Sequence, residues 1–211
     1  MRAKRAGGLL GDRRGGVFKS ALALLVFASA AGTLGWMLLM PSALRSEVEA
    51  RTGFPVDYKT LACNPLGFSF HGEGITVGNP GRFGGEAPAF EIERIDVSMS
   101  LPALARGEIW LDRLEIHIRR ATLVVDESGQ YNLQVFLERL FAKEGGGTTP
   151  FFAESARLTI DELSFIDNSQ IVPTRRQLRP RLDLEYRDLE RPEKLLEPVN
   201  ELGRSVGGLK I

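Results

Sequence analysis

FEIERIDV (Phe90–Val97), IWLDRLEI (Ile109–Ile116) and LTIDELSF (Leu158–Phe165) share one arrangement: apolar, x, apolar, x, x, apolar, x, apolar. Side chains of a strand alternate between faces, so the doubled spacer would throw the second apolar pair onto the wrong side. A bulge that absorbs one residue restores the face and adds twist. Three such segments predict a sheet whose strands bend at similar places into a curved trough. The alternative is strands buried on different faces at their two ends. The copies do not recur at a uniform period, so a solenoid is not indicated.

Outward from these segments the connections follow. Val56–Leu61 reads as a short strand; Leu66, Phe68 and Phe70 alternate before Gly72 and Gly74; Asn79-Pro80-Gly81 is a turn. Leu101–Gly107 joins two strands as one helical turn, and Thr122–Val125 extends a strand that turns at Ser128-Gly129. Asn132 is placed to cap a helix, near 132–143, whose Leu133, Phe136, Leu137, Leu140 and Phe141 form one stripe. Gly145–Gly147 is a flexible link, and Pro173 and Pro180 bracket an Arg-rich loop before a last strand with Leu182, Leu184 and Tyr186. Pro192 opens a C-terminal helix and tail over 192–211. The expected fold class is therefore α+β, a curved antiparallel half-groove over 54–191 with short amphipathic helices.

Ahead of this domain, Ser20–Met40 carries no charged residue. At about 1.5 Å per residue such a run crosses a hydrocarbon core of roughly 30 Å, with Leu22, Leu24, Leu25, Phe27, Trp36, Leu38 and Leu39 as its anchor. Residues 41–53 read as a connecting helix stopped by Gly53. Residues 1–19 hold Arg2, Lys4, Arg5, Arg13, Arg14 and Lys19 against Asp12, which predicts a cytoplasmic N-terminus and an exported domain. A cleavable signal peptide ending near Ala28-Ser29-Ala30 is the rival reading, opposed by the apolar residues that continue past it. The chain has 27 basic and 27 acidic residues; removing 6 and 1 with the leader leaves 21 and 26, a net of −5. An acidic remainder makes nucleic acid an unsuitable partner. The cluster Arg175, Arg176, Arg179 and Arg181 is followed at once by Asp183, Glu185, Asp188 and Glu190 and reads as a solvated face.

Catalytic patterns are sparse. His71 and His117 lie far apart with no Cys or carboxylate at ligand spacing, so each is assigned a structural role and no metal is expected. The single cysteine, Cys63, forms neither an intrachain disulfide nor a thiolate cluster. Gly72-x-Gly74 lacks the third glycine and following helix of a dinucleotide loop, and no serine sits in a nucleophile elbow. Glu91, Glu93, Asp96, Asp112, Glu115, Asp161 and Glu162 fit the polar side of strands. These residues point to a protein that is not an enzyme and needs no cofactor.

One further pattern lies in the order of segments: an apolar N-terminal run, Thr52-Gly53, VGNPGRF (Val77–Phe83), then LPALARGEIWLDRLEIHIRRATLVVDESGQYNLQVFLERL (Leu101–Leu140). This order resembles the N-terminal region of the AsmA-like family of bacterial envelope proteins, over roughly Val48 to Leu140. The Asn-Pro-x-x-Phe turn, the Leu-x-x-Leu link and Asn132-Leu133 carry the resemblance. It implies kinship with bridge-like lipid-transfer proteins: a single-pass inner-membrane anchor, a periplasmic sheet with an apolar inner face, and a link to phospholipid traffic and outer-membrane assembly. Many relatives run far longer, whereas about seven or eight strands at about 4.8 Å give a trough of some 35 Å.

Two function classes follow. In the first, a lipid-handling module, Phe68, Phe70, Phe90, Ile92, Ile109, Leu111, Leu158 and Ile160 line a groove for acyl chains beside the phospholipid bilayer. In the second, the chain is a scaffold or adaptor that pairs with another β-groove protein by strand addition. They part on whether the helices fill the trough.

Overall fold

The computed structural model describes residues 39–85, 87–104, 106, 108–142, 150–169, 173–199 and 202. Its strands are β1 (Val56–Asp57), β2 (Thr60–Asn64), β3 (Ser69–Val77), β4 (Phe90–Met99), β5 (Ile109–Val125), β6 (Phe151–Asp167), β7 (Thr174–Leu178) and β8 (Leu182–Leu189). The helix α1 (39–52) before β1 is followed by α2 (Leu101–Leu104) and α3 (Asn132–Phe141). They form one eight-stranded sheet in the order β1-β3-β4-β5-β6-β7, with β2 also on β3 and β8 also on β6. Because β1 and β2 share one flank, and β7 and β8 the other, the sheet is six strands wide. Five gaps of about 4.8 Å make about 24 Å, shorter than the expected trough.

The expected antiparallel sheet is corrected to a mixed one: β5 and β6 run parallel, from Ile109↔Phe151 to Val125↔Asp167. Parallel neighbours need a crossover, and α3 (Asn132–Phe141) lies in the connection between them. The Arg-rich loop also proves to contain a strand, β7, paired with Leu163–Asp167 of β6. Leu66 and Phe68 lie in a turn, not a strand; Phe68 has φ 44° and its carbonyl accepts the Met99 N–H at 2.9 Å.

The repeated segments place their apolar residues on one face. Between β4 and β5, register shifts leave Glu93 of the first segment and Asp112 of the second unpaired, while β6 pairs with β5, β7 and β8 in unbroken register. On β4 the shift lies between Ile92 and Arg94, so Glu93 is the extra residue against β5. Gly74, at φ 59°, absorbs the same step on β3, where Glu73 pairs with Arg94 and Ile75 with Ile92. Five apolar rows then run across the strands. Two of them are Val56–Val77–Phe90–Ala121–Leu163–Leu178 and Leu61–Gly72–Ile95–Ile116–Leu158–Leu184. Between them lies Ile75–Ile92–Ile118–Ile160–Leu182, and beyond them Cys63–Phe70–Val97–Leu114–Ala156–Tyr186 and Met99–Leu111–Ala153–Leu189. Directly paired residues project to the same side, so these rows make a continuous apolar face.

Helices close on that face. A helix α1 covers residues 39–52 and sends Val48 into the core; Gly53, at φ 75°, ends it with an N–H donated to the Glu49 carbonyl at 2.9 Å. Phe54, fully buried, stacks edge-on to Phe136 of α3 at 5.2 Å, and Phe136 reaches Phe90 at 5.8 Å. Phe141, at the other end of α3, meets Phe151 at 5.6 Å. A straight strand would put the rows of Phe90 and Phe151 about 40 Å apart, yet both touch a helix about 15 Å long. The bulges supply the bend that brings them together.

The assignment of a single-pass inner-membrane protein with a periplasmic domain is not sustained. Among the described residues no helix is long and apolar enough to cross a membrane. Of the run Ser20–Met40 only residues 39 and 40 are described; they are the first described residues of α1, and Leu39 is 69% exposed. Leu22, Leu24, Leu25, Phe27, Trp36 and Leu38 lie outside the described residues, as do Gly145–Gly147 and most of the C-terminal tail.

Candidate functional site

The apolar rows place the eight expected groove residues unequally. Phe90, Leu111, Leu158 and Ile160 are buried in the protein's own core, at 8, 5, 2 and 1% exposure. Phe70, Ile92 and Ile109 are half-buried on the same face, while Phe68 stands apart in its turn. The middle of the face, on β5 and β6, is thus sealed. Its flanks are not: Leu61, Phe70, Ile95 and Val97 on one side, and Leu182, Leu184 and Tyr186 on the other, remain half-buried.

Strand β8 is one of the edge strands of the described sheet. It pairs with β6 from Ala153↔Leu189 to Ile160↔Leu182, and no described strand lies on its other side. Its residues alternate strictly: Leu182, Leu184 and Tyr186 face the core, and Asp183, Glu185 and Arg187 face solvent. Beneath it the Pro192–Leu196 turn brings Leu195, and the following helical residues bring Val199, into the core. The Tyr186 hydroxyl is buried with no partner among the described residues, and desolvation followed by the charge of Glu197 pushes its phenol above the ordinary range.

The opposite face is a lattice of charge, because each doubled spacer deposits two polar residues there. Arg119 and Arg120 hold Glu91; Arg120 and Arg179 hold Glu162. Arg157 grips Asp183 through Nε at 2.9 Å and a terminal nitrogen at 2.7 Å, holding that carboxyl below its ordinary value. His71 Nδ1 lies 2.6 Å from Asp96 and its Nε2 3.3 Å from Glu73, contacts that raise its affinity for a proton. A groove of about 380 Å³ runs between Ser69, His71, Arg94, Asp96, Arg113 and Glu115. His117 on β5 stands beside Glu93 on β4 and Asp161 on β6. This trio is absent from the sequence reading, since 24 and 44 residues separate its members along the chain and only strand register joins them. A signal was present: Glu93 and Asp161 both sit in doubled spacers, whose positions the pattern reveals.

Asn132 also has a different role from the expected helix cap. Its side chain is 1% exposed; its oxygen accepts from the Val124 and Leu133 N–H groups, and its nitrogen donates to Asn79 and to the Thr122 carbonyl. Asn79 in turn donates to the Ala87 carbonyl, so the Asn-Pro turn, β5 and α3 are locked by one amide chain. No known protein family, curated protein or solved structure matches this chain.

Proposed function

We propose that this chain is a non-catalytic scaffold that recruits a β-sheet partner by strand addition along β8. The observation that carries the reading is the contrast within two rows. Leu158 and Ile160 of β6 are buried, whereas their row neighbours Leu184 and Leu182 on β8 are only half-buried beside a backbone edge that no described strand pairs. An added strand would satisfy that edge and extend the rows, which is the physics of β-augmentation. A partner strand with apolar residues at alternate positions fits, its polar residues meeting Glu185 and Arg187. The resemblance of Val48–Leu140 to the AsmA-like family points to another β-groove protein as that partner.

The test is a photo-activatable side chain placed at Glu185 or Arg187 of the full chain in its native cells. The scaffold reading expects one discrete adduct from both positions, mapping to a single extended segment of the partner. Adducts equally strong from Glu127, in the distant turn, or none from β8, overturn it.

A second reading, lipid handling, is favoured by the rows themselves. An acyl chain spans about 15 Å, half of a bilayer core, and the rows run for about 24 Å. On this reading the chain would lie along the half-buried flank formed by Leu61, Phe70, Ile95 and Val97.

A further inference from the structure

The charged face contains one group of side chains whose charges do not balance. Glu91, Asp96, Glu115, Glu162 and Asp183 each have an arginine within ion-pair distance. Among the described residues Glu93 and Asp161, like Glu73 and Asp112, have none; between Glu93 and Asp161 stands His117, with Nε2 at 3.0 Å from Asp161 Oδ2 and Nδ1 at 3.6 Å from Glu93 Oε2. Even as an imidazolium, one histidine leaves two carboxylates with a net charge of −1. The neighbouring guanidinium groups are committed elsewhere, Arg94 to Asp96 at 3.0 Å and Arg157 to Asp183 at 2.7 Å.

We propose that Glu93, His117 and Asp161 form a binding site for a divalent transition-metal ion of the zinc class. One donor atom from each residue lies within 4.8 Å of the others. Zinc takes imidazole nitrogen and carboxylate oxygen at about 2.0–2.2 Å, so neighbouring donors sit about 3.0–3.4 Å apart. Imidazole binds an ion through one nitrogen. The His117 Nε2–Asp161 pair already has that spacing, and Glu93, now nearest Nδ1 at 3.6 Å, must swing its exposed side chain toward the same nitrogen to complete the set. Imidazole with two carboxylates suits zinc or manganese rather than calcium or magnesium, which prefer all-oxygen shells. The donors come from three adjacent strands, β4, β5 and β6, and the Glu93 bulge places its carboxylate beside His117. Water completes the coordination, since all three side chains are at least one-third exposed.

His71 supplies an internal comparison. It too lies between two carboxylates, Asp96 and Glu73, but Arg94 already neutralises Asp96. The site therefore belongs to His117 and not to His71.

The experiment is calorimetric titration of the full chain, without an affinity tag and stripped with chelator, with zinc chloride and then with manganese chloride. The expected result is one saturable equivalent of zinc per chain and a rise in the unfolding midpoint with zinc concentration. His117→Ala and the milder Glu93→Gln should each weaken binding at least tenfold, while His71→Ala binds as the parent does. Glu93→Gln alters an exposed side chain, so its loss of binding cannot be a loss of folding. No saturable binding by the parent, or equal binding by the His117→Ala and Glu93→Gln chains, overturns the proposal.

Discussion

Replacing Asn132 with alanine removes four hydrogen bonds and leaves their partners behind. The Val124 N–H, the Thr122 carbonyl and the Asn79 amide oxygen belong to residues that are 1, 4 and 5% exposed, so water cannot substitute for the lost amide. A buried polar group left unpaired costs about 1–3 kcal/mol, and three at the lower end give about 3–5 kcal/mol once the vacated volume is included. The fourth partner, the Leu133 N–H at the start of α3, adds little because helix-terminal donors have other outlets. Against a total stability of about 5–15 kcal/mol this loss is large. Urea unfolding followed by circular dichroism measures it: the midpoint should fall while the denaturant slope stays constant. Asn132→Asp keeps the two accepted bonds but turns a carboxylate toward two oxygens, so it should be at least as damaging at neutral pH. Asn79→Ala combined with Asn132→Ala should lose less than the sum of the singles, since the two amides bond each other at 2.8 Å. A loss below about 1 kcal/mol for Asn132→Ala, or strict additivity with Asn79→Ala, would refute the reasoning.

Three further outcomes are expected. Phe54→Ala should cost about 3–5 kcal/mol in the same urea assay, because a fully buried ring that touches Phe83 and Phe136 leaves a cavity between α1 and α3. Tyr186→Phe should be neutral or stabilising by up to about 1 kcal/mol, since it deletes a hydroxyl that is desolvated without a partner; a clear loss would mean that the hydroxyl is bonded. The hydrogen bond that the His71 ring donates to Asp96, with the contact to Glu73, raises the folded pKa of His71 above the unfolded value of about 6.5. Its contribution is therefore complete below that value and fades as pH rises through the folded one. The stability difference between the parent and His71→Gln should accordingly shrink from about pH 6 to about pH 8, by well under 1 kcal/mol for so exposed a side chain.

Much of the sheet was legible because its signal is local. The doubled spacers of Phe90–Val97 and Ile109–Ile116 announced the extra residues Glu93 and Asp112, whereas that of Leu158–Phe165 lies on a strand that pairs in unbroken register. The Asn-Pro turn and the stripe of α3 were also plain. The parallel pairing of β5 with β6 was missed although its evidence was present: a strand, a helix and a strand in succession is the pattern a crossover demands. Alternation alone made Phe68 a strand residue, but Gly67 precedes it and its φ of 44° turns it out of the rows. The Glu93–His117–Asp161 group was legible only in part: the doubled spacers mark Glu93 and Asp161, but nothing along the chain joins them to His117. Its members meet only through the pairing of three strands, which no spacing rule along the chain encodes. The partition of the apolar face into a sealed middle and half-open flanks likewise depends on where α3 and the Pro192–Leu196 turn settle, not on the strands' own residues.

The central claim is that the apolar face is the protein's own core, leaving the β8 edge as the working surface. Native mass spectrometry of the full chain, isolated without denaturant, tests it most directly. The account predicts a species at the mass of the bare polypeptide, with or without metal. A stoichiometric adduct of phospholipid mass, lost on substitution of Ile95 and Val97 by polar residues, would contradict it and give the face to lipid.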